Sequence, residues 1–142
     1  MLGQLSLRPV EIPGDGHCFF SSVNESVVWR SQNLPHFNNG AQMRIFLCDL
    51  CLQHVRDNDV IGKVMSGMYE NCFGLDERFT SISEFLLAAK RSSNIWGGDF
   101  FICFIILHFK IRVVQAELRK PNGGSPQIWL SRSYERYLLL RV

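Results

Sequence analysis

The spacing of hydrophobic and polar positions divides the chain into a long helical part and a shorter strand-rich part. Before residue 110, apolar residues recur roughly every three to four positions, which is the period of an amphipathic helix. A capping box formed by Ser81 and Glu84 marks one helix start. The predicted helices cover residues 18–30, 41–56, 60–69, 85–91 and 99–108.

From residue 111 onward the pattern changes to the alternation that is typical of β-strands. Residues 111–118 and 127–131 predict a hairpin around a turn at 121–125, and residues 137–140 predict a last, apolar strand. Helices followed by strands are typical of an α+β fold. We therefore expect one domain, residues 1–142, in which a small central β-sheet is packed between helices.

Composition and charge narrow the range of partners. Hydrophobic residues make up 46% and charged residues 20% of the chain, as in a globular protein, and the net charge of +2 is too small to indicate a nucleic-acid partner. The apolar run 100–109 is shorter than the roughly 20 residues that span a bilayer, and the first residues lack a signal-peptide pattern. Five cysteines without a disulfide framework favour a reducing compartment. We expect a cytoplasmic monomer that binds neither nucleic acid nor membrane.

The most informative stretch runs from Gly14 to Phe20. Glycines on both sides of Asp15 predict a tight turn, and Cys18 follows at the start of the first predicted helix. Unpaired N–H groups and the helix dipole favour a thiolate there, and the same N–H groups can hold an oxyanion. A lone cysteine entering a helix is otherwise a small buried hydrophobe. The flanking glycines and phenylalanines favour the nucleophile over the core residue.

The other cysteines and histidines carry weaker signals. Cys48, Cys51 and His54 have part of the spacing of a zinc site, but a structural zinc ion needs four ligands and no second pair follows. We therefore expect core cysteines there, with no metal ion and no other cofactor. His17 is expected to shape a substrate channel rather than to act as a base, because its side chain points about 100° away from that of Cys18 round a helix.

Two blocks of the chain resemble one protein family. The stretch Asp15-Gly16-His17-Cys18-Phe19-Phe20 resembles the nucleophile motif Asp-Gly-x-Cys-Phe/Leu-Phe/Tyr of the ovarian-tumour (OTU) family of cysteine deubiquitinases. Trp96-Gly97-Gly98-Asp99, followed by a strand at 111–114, resembles the Trp-Gly-Gly block of that family. The resemblance implies an OTU-like cysteine protease fold, and ubiquitin or a ubiquitin-like protein as partner.

The resemblance also implies a role for each matching residue. Cys18 is the nucleophile, and the oxyanion loop consists of Asp15, Gly16, His17 and Cys18. An alternative role for Asp15 is to orient a catalytic base. The active-site wall and the substrate contacts come from Trp96, Gly97, Gly98 and Tyr137. The alternative for Trp96 is an ordinary core aromatic residue, and the two roles are compatible.

The chain departs from the family pattern near its end. The family has a histidine there, followed two positions later by an asparagine or aspartate that orients it, whereas this sequence has Arg136 and Leu138. A guanidinium keeps its proton and cannot act as a base, although its charge can lower the pKa of Cys18. No histidine follows His108. The general base is therefore unidentified.

These residues support more than one function. The first is an OTU-like cysteine protease that cleaves ubiquitin or ubiquitin-like isopeptide bonds through the Cys18 thiolate and an acyl-enzyme. The second is a catalytically impaired pseudoenzyme that binds ubiquitin, which the replacement of the histidine by Arg136 favours. Redox or other acyl-transfer chemistry is a third possibility, and only Cys18 supports it.

Overall fold

Helices dominate the part of the chain that the structure describes. A computed structural model gives residues 16–26, 34–73, 79–95 and 98–111, together with four short strands between residues 113 and 138. The α-helices are α1 (Cys18–Glu25), α2 (Gly40–Asp57), α3 (Val60–Met68), α4 (Ile82–Ala89) and α5 (Gly98–Phe109), and a π-helical turn (Tyr69–Phe73) follows α3. The strands are β1 (Val113–Val114), β2 (Ala116–Arg119), β3 (Gln127–Leu130) and β4 (Tyr137–Leu138).

Polar residues at the helix ends explain where α2 and α3 begin and end. The side chain of Asn39 accepts a hydrogen bond from the N–H of Gln42 in the first turn of α2. Asn58 ends that helix in the left-handed conformation, with φ of 51°. Asp59 then caps α3 by accepting a hydrogen bond from the N–H of Gly62 at 2.8 Å. Such caps satisfy N–H groups that the helix itself leaves unpaired.

The other helices differ from their predictions mainly in length. α1 ends at Glu25 rather than near residue 30, because Ser26 has an extended backbone with ψ of 129°; residues 27–30 lie outside the described part. α4 begins at Ile82 rather than at residue 85, directly after the predicted cap. There the hydroxyl of Ser81 accepts a hydrogen bond from the N–H of Glu84 at 3.2 Å.

The described core is built by packing helix on helix around α2. This helix contacts α1, α3 and α4. The ring of Phe101 in α5 lies 5.2 Å from that of Phe20 in α1 and 6.3 Å from that of Phe85 in α4, measured between centroids. The core residues of α2 are Met43, Leu47, Cys48, Cys51 and Leu52, and those of α5 are Phe100, Phe101, Ile102, Phe104 and Ile105. None of the helices described is both long and apolar enough to cross a membrane.

The predicted α+β fold with a small central β-sheet packed between helices is wrong. In the described residues the apolar faces of the helices are buried against one another, as in α2, α4 and α5, and no sheet lies between them. The strands form two separate pairs instead: β1 is parallel to β4, and β2 is antiparallel to β3. The OTU-like cysteine protease fold that the resemblance implied is wrong for the same reason.

A buried asparagine fixes the loop that leads into α2. The side chain of Asn24, on α1, is 1% exposed. Its Nδ2 donates to the carbonyl of Phe37 at 2.7 Å, and its Oδ1 accepts from the N–H of Phe37 at 2.8 Å. Both hydrogen-bonding groups of one backbone residue are therefore satisfied by one side chain. This contact holds α1 beside the start of α2.

Candidate functional site

Cys18 is exposed and lies where the sequence predicts it, at the first residue of α1. It is preceded by His17, whose carbonyl accepts a hydrogen bond from the N–H of Ser21 at 2.9 Å. The N–H groups of this first turn point toward the N-terminal end of the helix, on the side from which an anion is attracted. The sulfur forms no disulfide and makes no hydrogen bond to another residue in the described part of the chain.

Gly16 brings the loop before Cys18 into close contact with the turn that follows α4. Its φ of +84° lies in the left-handed region that favours glycine. A Cβ at this position would lie 2.5 Å from the carbonyl oxygen of Ser93. Gly16 and His17, which form the described part of the loop before Cys18 (the cysteine loop), therefore lie directly against the turn that contains Ser93. In the sequence, this turn directly precedes the block 96–99 that carries part of the OTU resemblance.

Arg44 joins these two segments from inside the molecule. Its side chain is 1% exposed, on the face of α2 that also carries Leu47 and Cys48. Nη2 donates to the carbonyl of Gly16 at 2.8 Å, and Nε donates to Nδ1 of His17 at 3.0 Å. Nη1 donates to the carbonyls of Ala89 (2.9 Å) and Ile95 (2.6 Å). The guanidinium also lies 4.5 Å from the ring centroid of Phe20.

Sequence reasoning missed Arg44 as a functional residue. The signal was a charged residue at a position whose helical neighbours, three, four and seven residues on, are Leu47, Cys48 and Cys51. That spacing places all four on one face of a helix, and this face is buried. A buried arginine must be surrounded by acceptors, because removing its charge from water is otherwise costly. The sequence does not show which acceptors these are.

All four histidines of the chain are described, and three of them are engaged away from Cys18. Nε2 of His36 lies 3.7 Å from the carboxylate of Glu25, at the other end of α1. His54 and His108 contact each other at the far end of α2, which rises about 1.5 Å per residue, so roughly 20 Å separates them from the cysteine loop. His17 is adjacent to Cys18, but its Nδ1 accepts the hydrogen bond from Arg44.

The remaining site predictions fall mostly outside the described residues. The predicted site residues outside the described part of the chain include Asp15, Trp96, Gly97 and Arg136. Gly98 is the first residue of α5 and is exposed, with φ of +58°. Tyr137 is the first residue of β4, where it pairs with Val113 of β1. The structure therefore brings Gly16, His17 and Cys18 together with the turn before Trp96, and the other assignments stay predictions.

The predicted core cysteines of α2 are buried, unlike Cys18. Cys48 is 1% exposed and Cys51 is fully buried. Burial raises the pKa of both thiols to about 12, because the charged thiolate is poorly stabilised away from water. Neither is a nucleophile at neutral pH.

A chain of three titratable side chains ties α5 to the turn between α2 and α3. Nδ1 of His54 lies 2.6 Å from Oδ2 of Asp59, and Nε2 of His54 lies 2.7 Å from Nδ1 of His108. The two partners contact opposite nitrogens of one ring, so the groups do not converge on a single point. Within the described ranges no cluster of side chains suited to a metal ion is found.

We expect this chain of side chains to make the protein less stable in acid. Burial lowers the pKa of His108 below its ordinary value of 6.5, and the charge of His54 acts in the same direction. The unfolded chain therefore binds this proton at a higher pH than the folded protein, and the free energy of unfolding falls as the pH drops below about 6.5. Hydrogen bonds from Gly62 and His54 lower the pKa of Asp59 below 3.8, so a second loss follows in stronger acid.

Denaturation at a series of pH values tests this expectation. His108→Gln keeps an amide that can form a hydrogen bond with His54 and removes the titrating ring, so the loss of stability between about pH 7 and pH 5.5 should become smaller. His36→Gln is the matched control, because His36 is 43% exposed at its side chain and lies elsewhere; the loss should persist in it. An unchanged pH slope in His108→Gln would contradict the expectation.

Comparison with protein-family models, with curated proteins and with solved structures finds no match to this chain.

Proposed function

We propose that the chain is a cysteine hydrolase of the OTU type, which cleaves isopeptide bonds of ubiquitin or a ubiquitin-like protein through Cys18. The Cys18 thiolate attacks the carbonyl carbon of the C-terminal glycine of the modifier, and the amine leaves with a proton taken from solvent as the C–N bond breaks. Water then hydrolyses the thioester, which frees the carboxylate of the modifier and regenerates the thiol. The first-turn N–H groups of α1 are suited to receive the negative charge on the carbonyl oxygen. We expect this activity in the cytoplasm, with the modifier as protein partner.

One observation carries the proposal: the sulfur of Cys18 is exposed at the first residue of α1, behind a loop that is held in place. Gly16 fixes that loop against Ser93, and Arg44 binds it from within. The contrast with Cys48, which is buried with a raised pKa, singles out Cys18 as the reactive thiol. The proposal therefore rests on the cysteine loop and not on the fold.

The arrangement of the histidines favours a second candidate, a ubiquitin-binding module with little or no turnover. His36 contacts Glu25, and His54 and His108 contact each other at the far end of α2. His17 accepts a hydrogen bond at Nδ1 and so cannot take a proton there. Without a base, the protein can bind the modifier and its thiol can react with a reactive group once, but the product amine leaves slowly.

Mass spectrometry after incubation with ubiquitin bearing a C-terminal thiol-reactive group tests the proposal. We expect a one-to-one adduct with the wild-type protein and none with Cys18→Ala. Cys103→Ala is the matched control, since Cys103 is partly exposed on α5; it should still form the adduct. A folded wild-type protein that forms no adduct, or an adduct that persists in Cys18→Ala, would rule the proposal out.

Two further assays separate the candidates. Incubation with linked ubiquitin chains measures turnover, and titration with labelled ubiquitin measures binding. Cleavage that disappears in Cys18→Ala supports the hydrolase. Saturable binding without cleavage, by a protein that forms the adduct, supports the binding module.

A further inference from the structure

We propose that Arg44 positions the loop that presents Cys18, by setting both the orientation of the Gly16–His17 peptide and the tautomer of His17. This inference rests on the proposed function, because it assigns a positioning residue to the same site. Arg44 belongs to α2 and lies on the buried side of the cysteine loop.

Arg44 donates hydrogen bonds both to the residues before Cys18 and to the segment at the end of α4. Two go to the residues immediately before Cys18, namely the carbonyl of Gly16 (2.8 Å) and Nδ1 of His17 (3.0 Å). Two go to the carbonyls of Ala89 and Ile95, at the end of α4 and in the turn after it. The planar guanidinium presents its donors in a fixed geometry, so it sets the positions of these acceptors relative to one another.

The peptide between Gly16 and His17 is oriented by its contact with Arg44. No cis peptide bond occurs in the described residues, so the carbonyl of Gly16 and the N–H of His17 point in opposite directions. Because the carbonyl points inward to the buried guanidinium, the N–H points toward the outer face of the loop. Gly16 has a left-handed φ of +84°, a backbone conformation that glycine adopts without strain. Arg44 thereby turns one backbone donor outward, next to the nucleophile.

The ring of His17 is held in one tautomer by its contact with Arg44. An arginine is charged at every pH at which the protein is folded, and its N–H groups only donate. Nδ1 of His17 must therefore carry a lone pair, and the proton of the neutral ring is on Nε2. In this tautomer neither nitrogen can accept the proton of Cys18 while the bond to Arg44 is intact. Arg44 thus excludes His17 as the base and leaves it as a donor.

The tautomer is tested on the wild-type protein by nitrogen-15 NMR of labelled histidine, with His17→Gln to assign the signal. We expect the His17 ring with its proton on Nε2. A proton on Nδ1 in the folded protein would overturn the inference. This readout does not depend on any activity toward ubiquitin, so it remains decisive if the adduct does not form.

The positioning role is tested with Arg44→Lys, which keeps the charge but loses the planar set of donors. With the ubiquitin reagent, we expect the maximal rate of Cys18 labelling to fall at least about tenfold, with half-saturation unchanged, because the loop is displaced and not the ubiquitin-binding surface. Arg56→Lys is the matched control: Arg56 is exposed in the last turn of the same helix, and its labelling rate should equal that of wild type.

Two outcomes of this experiment bear on different claims. A folded Arg44→Lys protein that labels at the wild-type maximal rate, with His17 still protonated on Nε2, would overturn the positioning role and leave the proposed function standing. A wild-type protein that is not labelled at all would end the proposed function instead. If Arg44→Lys does not fold, a proton on Nδ1 of His17 in the wild-type protein would still overturn the inference.

Discussion

Replacing Gly62 with alanine should lower the free energy of unfolding by about 3 kcal/mol or more, whereas the same replacement at Gly67 should raise it by about 0.5–1 kcal/mol. Both glycines belong to α3. Alanine is the better helix former, so helix propensity alone predicts a gain at each position. The two sites differ in what a methyl group would meet.

At Gly62 the backbone of α2 occupies the space that a Cβ would need. A methyl group there would overlap the carbonyl oxygen of His54 and lie 2.5 Å from its carbonyl carbon. These are backbone atoms of a helix and cannot turn aside as a side chain would. α3 cannot withdraw either without pulling Asp59, its N-cap residue, away from α2, where Nδ1 of His54 lies 2.6 Å from the Asp59 carboxylate. At Gly67 nothing lies within 4 Å of the position that a Cβ would take.

Chemical denaturation of the two variants beside wild type measures both effects. The opposite signs make the pair its own control, because expression, solubility and helix propensity affect the two variants alike. Equal changes in the free energy of unfolding at the two positions would show that α2 and α3 do not approach each other at Gly62.

The helices were predictable because their signals are local. Periodic apolar residues indicated all five, and Ser81 with Glu84 marked one helix start. The prediction that a central β-sheet packs between these helices was wrong. The helix over 98–109 is apolar on nearly every side, which predicts burial but not whether a sheet or other helices bury it. In the described residues, other helices bury this helix. Pairing between strands that are distant in the sequence leaves no comparable local signal.

The candidate site shows the same division between local and distant information. The place of Cys18 at a helix start follows from its immediate neighbours, Gly16 above all. The hydrogen bonds of Arg44 do not follow from its neighbours in the sequence. Their acceptors belong to residues 16–17, 89 and 95, which meet only after the helices pack. An arginine on an apolar face indicates that acceptors exist without identifying them.

Replacing Gly16 with alanine should both destabilise the protein and slow the labelling of Cys18. The left-handed φ of +84° disfavours a side chain by about 1–2 kcal/mol. The added methyl group would also lie 2.5 Å from the carbonyl oxygen and 2.9 Å from the Cβ of Ser93. The overlap is relieved when the loop and Ser93 move apart, and movement of the loop carries Cys18 with it.

Gly98→Ala separates the two causes of destabilisation. Gly98 also has a positive φ, of +58°, but nothing lies within 4 Å of a Cβ there, so only the backbone strain applies. We expect Gly16→Ala to be at least about 1 kcal/mol less stable than Gly98→Ala, the difference being the overlap with Ser93. The maximal rate at which the ubiquitin reagent labels Cys18 should fall about tenfold or more in Gly16→Ala, with Gly67→Ala as the labelling control. If Gly16→Ala matches Gly98→Ala in stability and wild type in labelling, the contact with Ser93 does not hold the cysteine loop in place.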